Sequence, residues 1–127
     1  MPHISSSNAP VFKIPGAIGV TFTGLAAPSR GSLETAVSRV TLDPGSPAKI
    51  HQLTREEILV AIAGSATASV SGTEIRIDAG DALVIPAFTD FSLTNPHERL
   101  FEAIAILPVG TRAMIEGGEP FAPPWSL

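Results

Sequence analysis

The chain has 127 residues, of which 44% are hydrophobic and 16% charged, so it has enough apolar material for one buried core and is not a disordered chain. Its formal net charge is −4 and its eight Lys and Arg residues are scattered, so we predict no nucleic-acid partner. The absence of cysteine excludes disulfides, thiolate metal sites and cysteine nucleophiles.

The start of the chain, MPHISSSNAP, has neither the basic region nor the apolar region of a signal peptide. The longest apolar run, residues 58–63, is far too short to span a bilayer. We therefore predict a cytoplasmic protein that has no membrane partner.

Composition divides the chain into three parts. We predict a flexible polar arm over residues 1–10, one folded domain over 11–108, and a tail rich in Pro and Gly over 109–127. The tail ends in Phe121 and Trp125, whose large apolar surfaces are costly to leave in water. We expect it to pack on the domain or on a partner, or else to form a lid over a pocket mouth.

Short apolar segments separated by turn residues follow one another along the chain. The segment GSLETAVSRVTLD, residues 31–43, is the best candidate for a helix, but Gly31 before it and Pro44 and Gly45 after it favour a strand. Further on, SVSGTEI predicts a hairpin with residues 71–72 at its turn. About ten short strands and no clear helix predict an all-β antiparallel sandwich or barrel.

Two of these strands, EILVAIA at residues 57–63 and EAIAIL at 102–107, are apolar on both faces. An antiparallel strand with one face in water alternates apolar and polar residues instead. The second face must therefore be covered, either by the other sheet or by another subunit. We predict a homodimer.

Two stretches carry a spaced pattern of Gly, His, Glu, Pro and Asn. The first has the spacing Gly45, five residues, His51, one residue, Leu53, three residues, Glu57, six residues, Gly64. The second has Gly80, five residues, Pro86, one residue, Phe88, two residues, Phe91, three residues, Asn95. This pattern resembles the two-part signature of the cupin superfamily, G-x5-H-x-H-x3/4-E-x6-G followed by G-x5-P-x-G-x2-H-x3-N. Seven of the ten signature residues are present, all at the right spacing.

The resemblance implies a jelly-roll-like antiparallel β-barrel formed by residues 11–108. In that family three His and one Glu hold a divalent metal. The matching positions here are His51, Leu53, Glu57 and Phe91, so the resemblance implies a degenerate metal site. The Gly of the second motif is replaced by Phe88, which affects the turn expected there.

His51 and Glu57 fall one ligand short of the three protein ligands that catalytic zinc and mononuclear iron sites use. We therefore expect no cofactor. If a divalent metal binds weakly or adventitiously, His51 and Glu57 are its candidate ligands. A metal-dependent dioxygenase with an incomplete ligand set stays an alternative.

A His and a carboxylate in an apolar pocket are suited to moving protons near neutral pH. We predict His51 as the catalytic acid or base, with Glu57 as the partner that orients it. Leu53, Phe91 and Phe88 from the motifs, and Arg39 from the preceding strand, are the predicted pocket-lining residues, and they favour a small, largely apolar ligand.

The reaction predicted from these residues is of the isomerase, epimerase, lyase or cyclase type. Sugar epimerases and isomerases of the family do acid–base chemistry with or without metal, although an analogy of fold carries limited weight. The alternative is a cupin that only binds a small molecule in the same pocket. A third interpretation is a buried His and Glu left over from a metal-binding ancestor.

Overall fold

The computed structural model describes all 127 residues, and its regular structure is almost entirely β-strand. The strands are β1 (Val11–Phe12), β2 (Val20–Ala26), β3 (Thr35–Leu42), β4 (His51–Leu53), β5 (Glu57–Ala63), β6 (Ser65–Val70), β7 (Thr73–Asp78), β8 (Ala82–Ile85), β9 (Phe91–Thr94), β10 (Phe101–Pro108) and β11 (Ala113–Ile115). Three short 3₁₀ turns lie at Ser6–Asn8, Pro28–Arg30 and Pro124–Ser126. None of them has the length or the apolar character that crossing a bilayer takes.

The strands form two antiparallel sheets that share one core. The six-stranded sheet has the order β1-β2-β3-β10-β5-β8, and the five-stranded sheet has the order β11-β4-β9-β6-β7. This arrangement confirms the predicted all-β jelly-roll fold, although the two sheets are not joined into a closed barrel. Since β11 lies beyond residue 108, the sheet structure extends past the predicted end of the domain. The flexibility of residues 1–10 stays a prediction.

Strand β3 shows how sequence alternation builds the core. Every second residue from Ala36 to Leu42 is buried, while the residues between them lie on the outer face of the sheet. Its neighbour β10 alternates in the same way from Phe101 to Leu107. The main core is a cluster of twelve buried residues drawn from both sheets, which are Val40, Leu42, Leu59, Ala61, Ala66, Ala68, Ile77, Ile85, Phe91, Phe101, Ala103 and Ala105.

The outer face of the six-stranded sheet is aliphatic, as the apolar faces of β5 and β10 predicted. Four side chains lie in register across β3, β10, β5 and β8, and these are Val37, Ile106, Ile58 and Val84. Val84 is 55% exposed and the other three are half-buried. The second sheet therefore does not cover this face, and the homodimer stays a prediction.

The signature glycines occupy turns that require left-handed backbone. Gly64 has a φ of 73°, and a Cβ there would collide with the carbonyl oxygen of Leu100. Phe88 adopts a φ of 57° in place of the missing glycine, and its N–H donates to the Leu53 carbonyl at 2.8 Å. The turn is therefore kept, at a conformational cost of about 1–2 kcal/mol.

Asn95, the last signature residue, holds the second motif to its surroundings. It is fully buried, and its amide nitrogen donates to the carbonyls of Leu42 at 3.1 Å and Arg99 at 2.7 Å. Its amide oxygen accepts from the His97 N–H at 3.1 Å. The signature spacing thus brings a structural amide, rather than a catalytic one, to this position.

Replacing Asn95 with Ala is expected to lower the free energy of unfolding by about 2–4 kcal/mol, because the three hydrogen bonds of this buried side chain, one buried and two partly buried, are lost together. Urea denaturation of the native protein and the variant measures this loss. Asn8→Ala, at an exposed position, is the control and should change little. A change below about 1 kcal/mol in Asn95→Ala would contradict the assigned role.

Candidate functional site

An apolar cavity lies between the two sheets. It has a volume of about 120 Å³ and is lined by 21 residues, of which 16 are hydrophobic. An apolar cavity of about 150 Å³ is known to hold one benzene-sized molecule, so this one suits a small ligand. Only three polar side chains line it, and these are Lys49, His51 and Glu57.

The first motif and the start of β9 bring the predicted site residues to this cavity. His51 and Leu53 are two residues apart on β4, so both face inward. His51 pairs directly with Phe91 across the sheet, and Glu57 enters as the first residue of β5. All four signature positions therefore line one cavity, as the spacing predicted.

The His51 ring is held by a backbone carbonyl and an aromatic ring. Its Nδ1 lies 3.1 Å from the Lys49 carbonyl oxygen, which can only accept, so the neutral ring carries its proton on Nδ1 and a lone pair on Nε2. The ring meets Phe91 edge to face, with centroids 5.0 Å apart. Burial lowers the pKa of His51, and the hydrogen bond to Lys49 opposes this to a smaller extent. At neutral pH the ring is therefore an uncharged base.

Glu57 is a buried carboxyl that no protein group hydrogen-bonds. It is 8% exposed, and burial raises its pKa to about 7. A carboxyl with this pKa exchanges its proton readily at neutral pH, which is the property required of a general acid or base.

The prediction that Glu57 orients His51 is wrong. The two side chains form no ion pair or hydrogen bond, since the chain's single ion pair joins Arg76 to Asp78. The physical reason is topological, because His51 is on the five-stranded sheet and Glu57 on the six-stranded sheet. They reach the cavity from different sheets, and the Lys49 carbonyl orients His51 instead.

The residues present do not fit the metal of the cupin signature. Leu53 and Phe91 stand at two of the four ligand positions and cannot coordinate an ion. No group of three or more His, Asp or Glu side chains is arranged to hold a metal anywhere in the chain. Catalytic zinc and iron sites use at least three protein ligands, and His51 and Glu57 fall one short of that number.

Two predicted pocket residues lie outside the cavity. Arg39 is on β3 between the inward-facing Ser38 and Val40, so its side chain lies on the outer face of the sheet. Phe88 is 62% exposed, because its left-handed turn directs it away from the core. The predictions for Arg39 and Phe88 are therefore wrong.

Sequence analysis missed two groups of cavity residues. Lys49 lies two residues before His51, so the alternation that places His51 and Leu53 inward also indicates Lys49. The C-terminal tail contributes Phe121 and Trp125 to the wall. The Trp125 ring stacks on Phe22 with centroids 3.7 Å apart and planes 3° apart. The tail thus packs on the domain and also closes one side of the cavity.

No family model matches the sequence, and no curated protein sequence matches it. The polyketide cyclase RemF from Streptomyces resistomycificus is 16% identical and superposes with a TM-score of 0.76 over 85% of this chain and 79% of its own. A predicted oxalate decarboxylase from Thermotoga maritima is 23% identical, with a TM-score of 0.71 over 84% of this chain and 97% of its own.

A third similar structure is a sugar phosphate isomerase from Silicibacter pomeroyi, which is described as coming from a cupin superfamily. It is 16% identical and superposes with a TM-score of 0.74 over 88% of this chain and 80% of its own. Together with the two-sheet topology and the placement of both motifs around one cavity, these likenesses show that the chain has the cupin fold.

Proposed function

We propose that this protein is an acid–base enzyme that acts on a small, largely apolar molecule inside the cavity and needs no resident metal. The observation that carries the proposal is the pair of titratable groups that the two sheets bring to one apolar cavity. His51 has an unprotonated Nε2, and Glu57 has a carboxyl without a protein partner. The reaction class is isomerisation, epimerisation, dehydration or cyclisation.

Two groups held by different sheets allow a proton to leave one position of a substrate while another arrives at a second position. His51 Nε2 takes a proton from carbon or oxygen, and the protonated Glu57 carboxyl gives one to the second position. In the reverse reaction their roles reverse, and after a forward turnover His51 loses its proton to solvent and Glu57 regains one from solvent, so the proton count balances. Burial lowers the pKa of His51 and raises that of Glu57 to about 7, so at neutral pH an uncharged imidazole base and a carboxyl that still holds part of its proton share the cavity.

The similar structures support a reaction of this class by analogy of fold alone. Two of them are a polyketide cyclase and a sugar phosphate isomerase. A cyclisation and an isomerisation can both proceed by proton transfer, yet one fold hosts many activities, so the site must carry the argument. The incomplete donor set gives no support to the dioxygenase alternative.

A non-catalytic binding protein is the second candidate, and the composition of the cavity favours it. Sixteen of the 21 lining residues are hydrophobic, so apolar contact alone could hold a ligand. In that case the two titratable groups contribute little to affinity. A weakly held divalent ion on His51 and Glu57 is compatible with either candidate.

The experiment that separates the two candidates is proton exchange in D₂O. Small ketones, enols and hydroxy compounds are incubated with the protein and followed by NMR for deuterium uptake or conversion. His51→Ala and Glu57→Gln are each expected to lower the rate by about 10²–10⁴-fold while the fold stays intact, and treatment with chelator should not.

Glu56→Gln, at the exposed neighbouring position, is the matched control and should retain the native rate. A ligand that binds without exchange or conversion, and whose affinity in His51→Ala stays within about tenfold of native, would establish the binding protein instead. Activity that follows added metal and disappears with chelator would overturn the metal-free mechanism.

We further propose that the protein is a cytoplasmic homodimer, with the aliphatic row of Val37, Ile106, Ile58 and Val84 at the interface. A contiguous apolar patch on a free chain is favourable to cover with a second copy. Sedimentation equilibrium should find a dimer that Ile106→Glu converts to monomer. Ile75→Glu, on the other sheet, is the control, and a monomeric native protein would contradict the proposal.

A further inference from the structure

We propose that Lys49 is the anchor for an anionic group, so that the cavity takes a small aromatic monocarboxylate, or a molecule with an equivalent single anionic oxygen group. The inference deepens the proposed function of the same cavity and rests on it. It names the substrate class that the acid–base residues alone leave open.

Lys49 contributes an unpaired ammonium to an otherwise apolar wall. Its side chain is half-buried and lines the cavity, yet it forms no ion pair and donates no hydrogen bond within the chain. Its single hydrogen bond is made by its backbone carbonyl, which accepts from His51. The ammonium of this half-buried residue has three N–H donors and no acceptor within the protein, so it is free to bind an anionic group of a ligand.

The position of the ammonium sets the direction in which a ligand enters. Lys49 Nζ lies beside the loop of residues 13–19, where a Cβ placed on Gly16 would be 3.9 Å away. That loop is partly exposed, whereas Glu57 is almost fully buried. An anion on Lys49 therefore remains near the outer end of the cavity and directs the rest of the molecule inward, towards His51 and Glu57.

The other walls define the inward part of the ligand. The rings of Phe22, Phe91 and Trp125 line the cavity. Its volume of about 120 Å³ leaves room for no more than about one ring, so the anionic substituent lies at the outer end beside Lys49. A second negative charge would be desolvated at the buried end, where Glu57 offers it no positively charged partner. Monoanions should therefore bind in preference to dianions.

Lys49 also links recognition to chemistry. The same residue holds the anion with its side chain and fixes the His51 tautomer with its carbonyl. A ligand whose anion is bound by Lys49 is thereby held in a fixed position relative to the unprotonated Nε2 of His51. This is the type of fixed positioning that makes proton transfer efficient.

The test compares three probes, 4-methylbenzoate, its neutral isostere 4-methylbenzamide and the dianion terephthalate, by calorimetry at low ionic strength. The native protein should bind the benzoate at least about tenfold more tightly than the other two. Lys49→Met should remove that preference and leave the amide unaffected, while Lys49→Arg should restore most of it. Lys13→Met, at the only other lysine, is exposed outside the cavity and should behave as native.

The outcomes separate this inference from the proposed function. If the benzoate and the amide bind equally tightly to native protein, the anion anchor is wrong while the ligand cavity stands. The same conclusion follows if Lys49→Met and Lys13→Met lower the affinity for the benzoate by equal amounts. If neither probe binds, the ligand cavity fails and the anchor fails with it. Retained benzoate affinity in a folded Lys49→Met also overturns the inference.

Discussion

The native protein is expected to become less stable as the pH rises from about 5 to above 7, and replacing Glu57 with Gln should remove this pH dependence. Burial without a partner raises the pKa of Glu57 from 4.5 to about 7. The unfolded chain therefore releases this proton near pH 4.5, whereas the folded chain keeps it until about pH 7. Between those values the folded state binds more protons, so stability falls with rising pH, by about 3 kcal/mol in all.

Urea denaturation at about pH 5 and about pH 8 measures this difference in native protein, Glu57→Gln and the control Glu56→Gln. His51 acts with the opposite sign, because its lowered pKa makes protonation below pH 6.5 destabilise the folded state. That contribution is common to all three proteins and cancels in the comparison. Parallel pH profiles for native protein and Glu57→Gln would show that the carboxyl is not a buried, unpaired acid.

Truncating Trp125 to Ala is expected to lower the free energy of unfolding by about 3–5 kcal/mol, the usual cost of removing a large buried ring. Trp125 is 8% exposed, and its ring stacks on Phe22. The tail is held in addition by Arg30, whose guanidinium donates to the Trp125 carbonyl at 2.9 Å. Since the ring also forms part of the cavity wall, the variant should lose small-molecule binding as well.

Thermal or urea denaturation measures the stability of Trp125→Ala. Leu127→Ala is the matched truncation in the same tail, and its 56% exposed side chain should matter little. Trp125→Phe keeps a ring against Phe22 and should retain part of the stability. If Trp125→Ala costs no more than Leu127→Ala, the tail is not an integral part of the fold.

The parts of the site that could be predicted are those that depend on the spacing of residues close together in the sequence. Residues two apart on a strand face the same side, so the pattern around His51 and Leu53 places both inward. Glu57 and Phe91 are indicated by their positions in the two-part signature that the sequence resembles, and not by strand alternation. The same rule, applied one step earlier, would have identified Lys49.

The remaining features depend on contacts between residues far apart in the chain. No local pattern reveals that Trp125 stacks on Phe22, because this contact exists only after the tail folds back. The assumed pairing of His51 with Glu57 failed for a related reason. Closeness in sequence suggested contact, but the turn between β4 and β5 carries Glu57 into the other sheet.

The ionisation of the Glu57 carboxyl in the folded protein decides whether the cavity holds an acid–base group that works at neutral pH. It can be followed by ¹³C NMR of the side-chain carboxyl carbon, assigned by its disappearance in Glu57→Gln. A midpoint of about 7 is the expected result. A midpoint near the ordinary value of 4.5 would mean that the carboxyl is solvated or paired, and would contradict the proposed chemistry of the cavity.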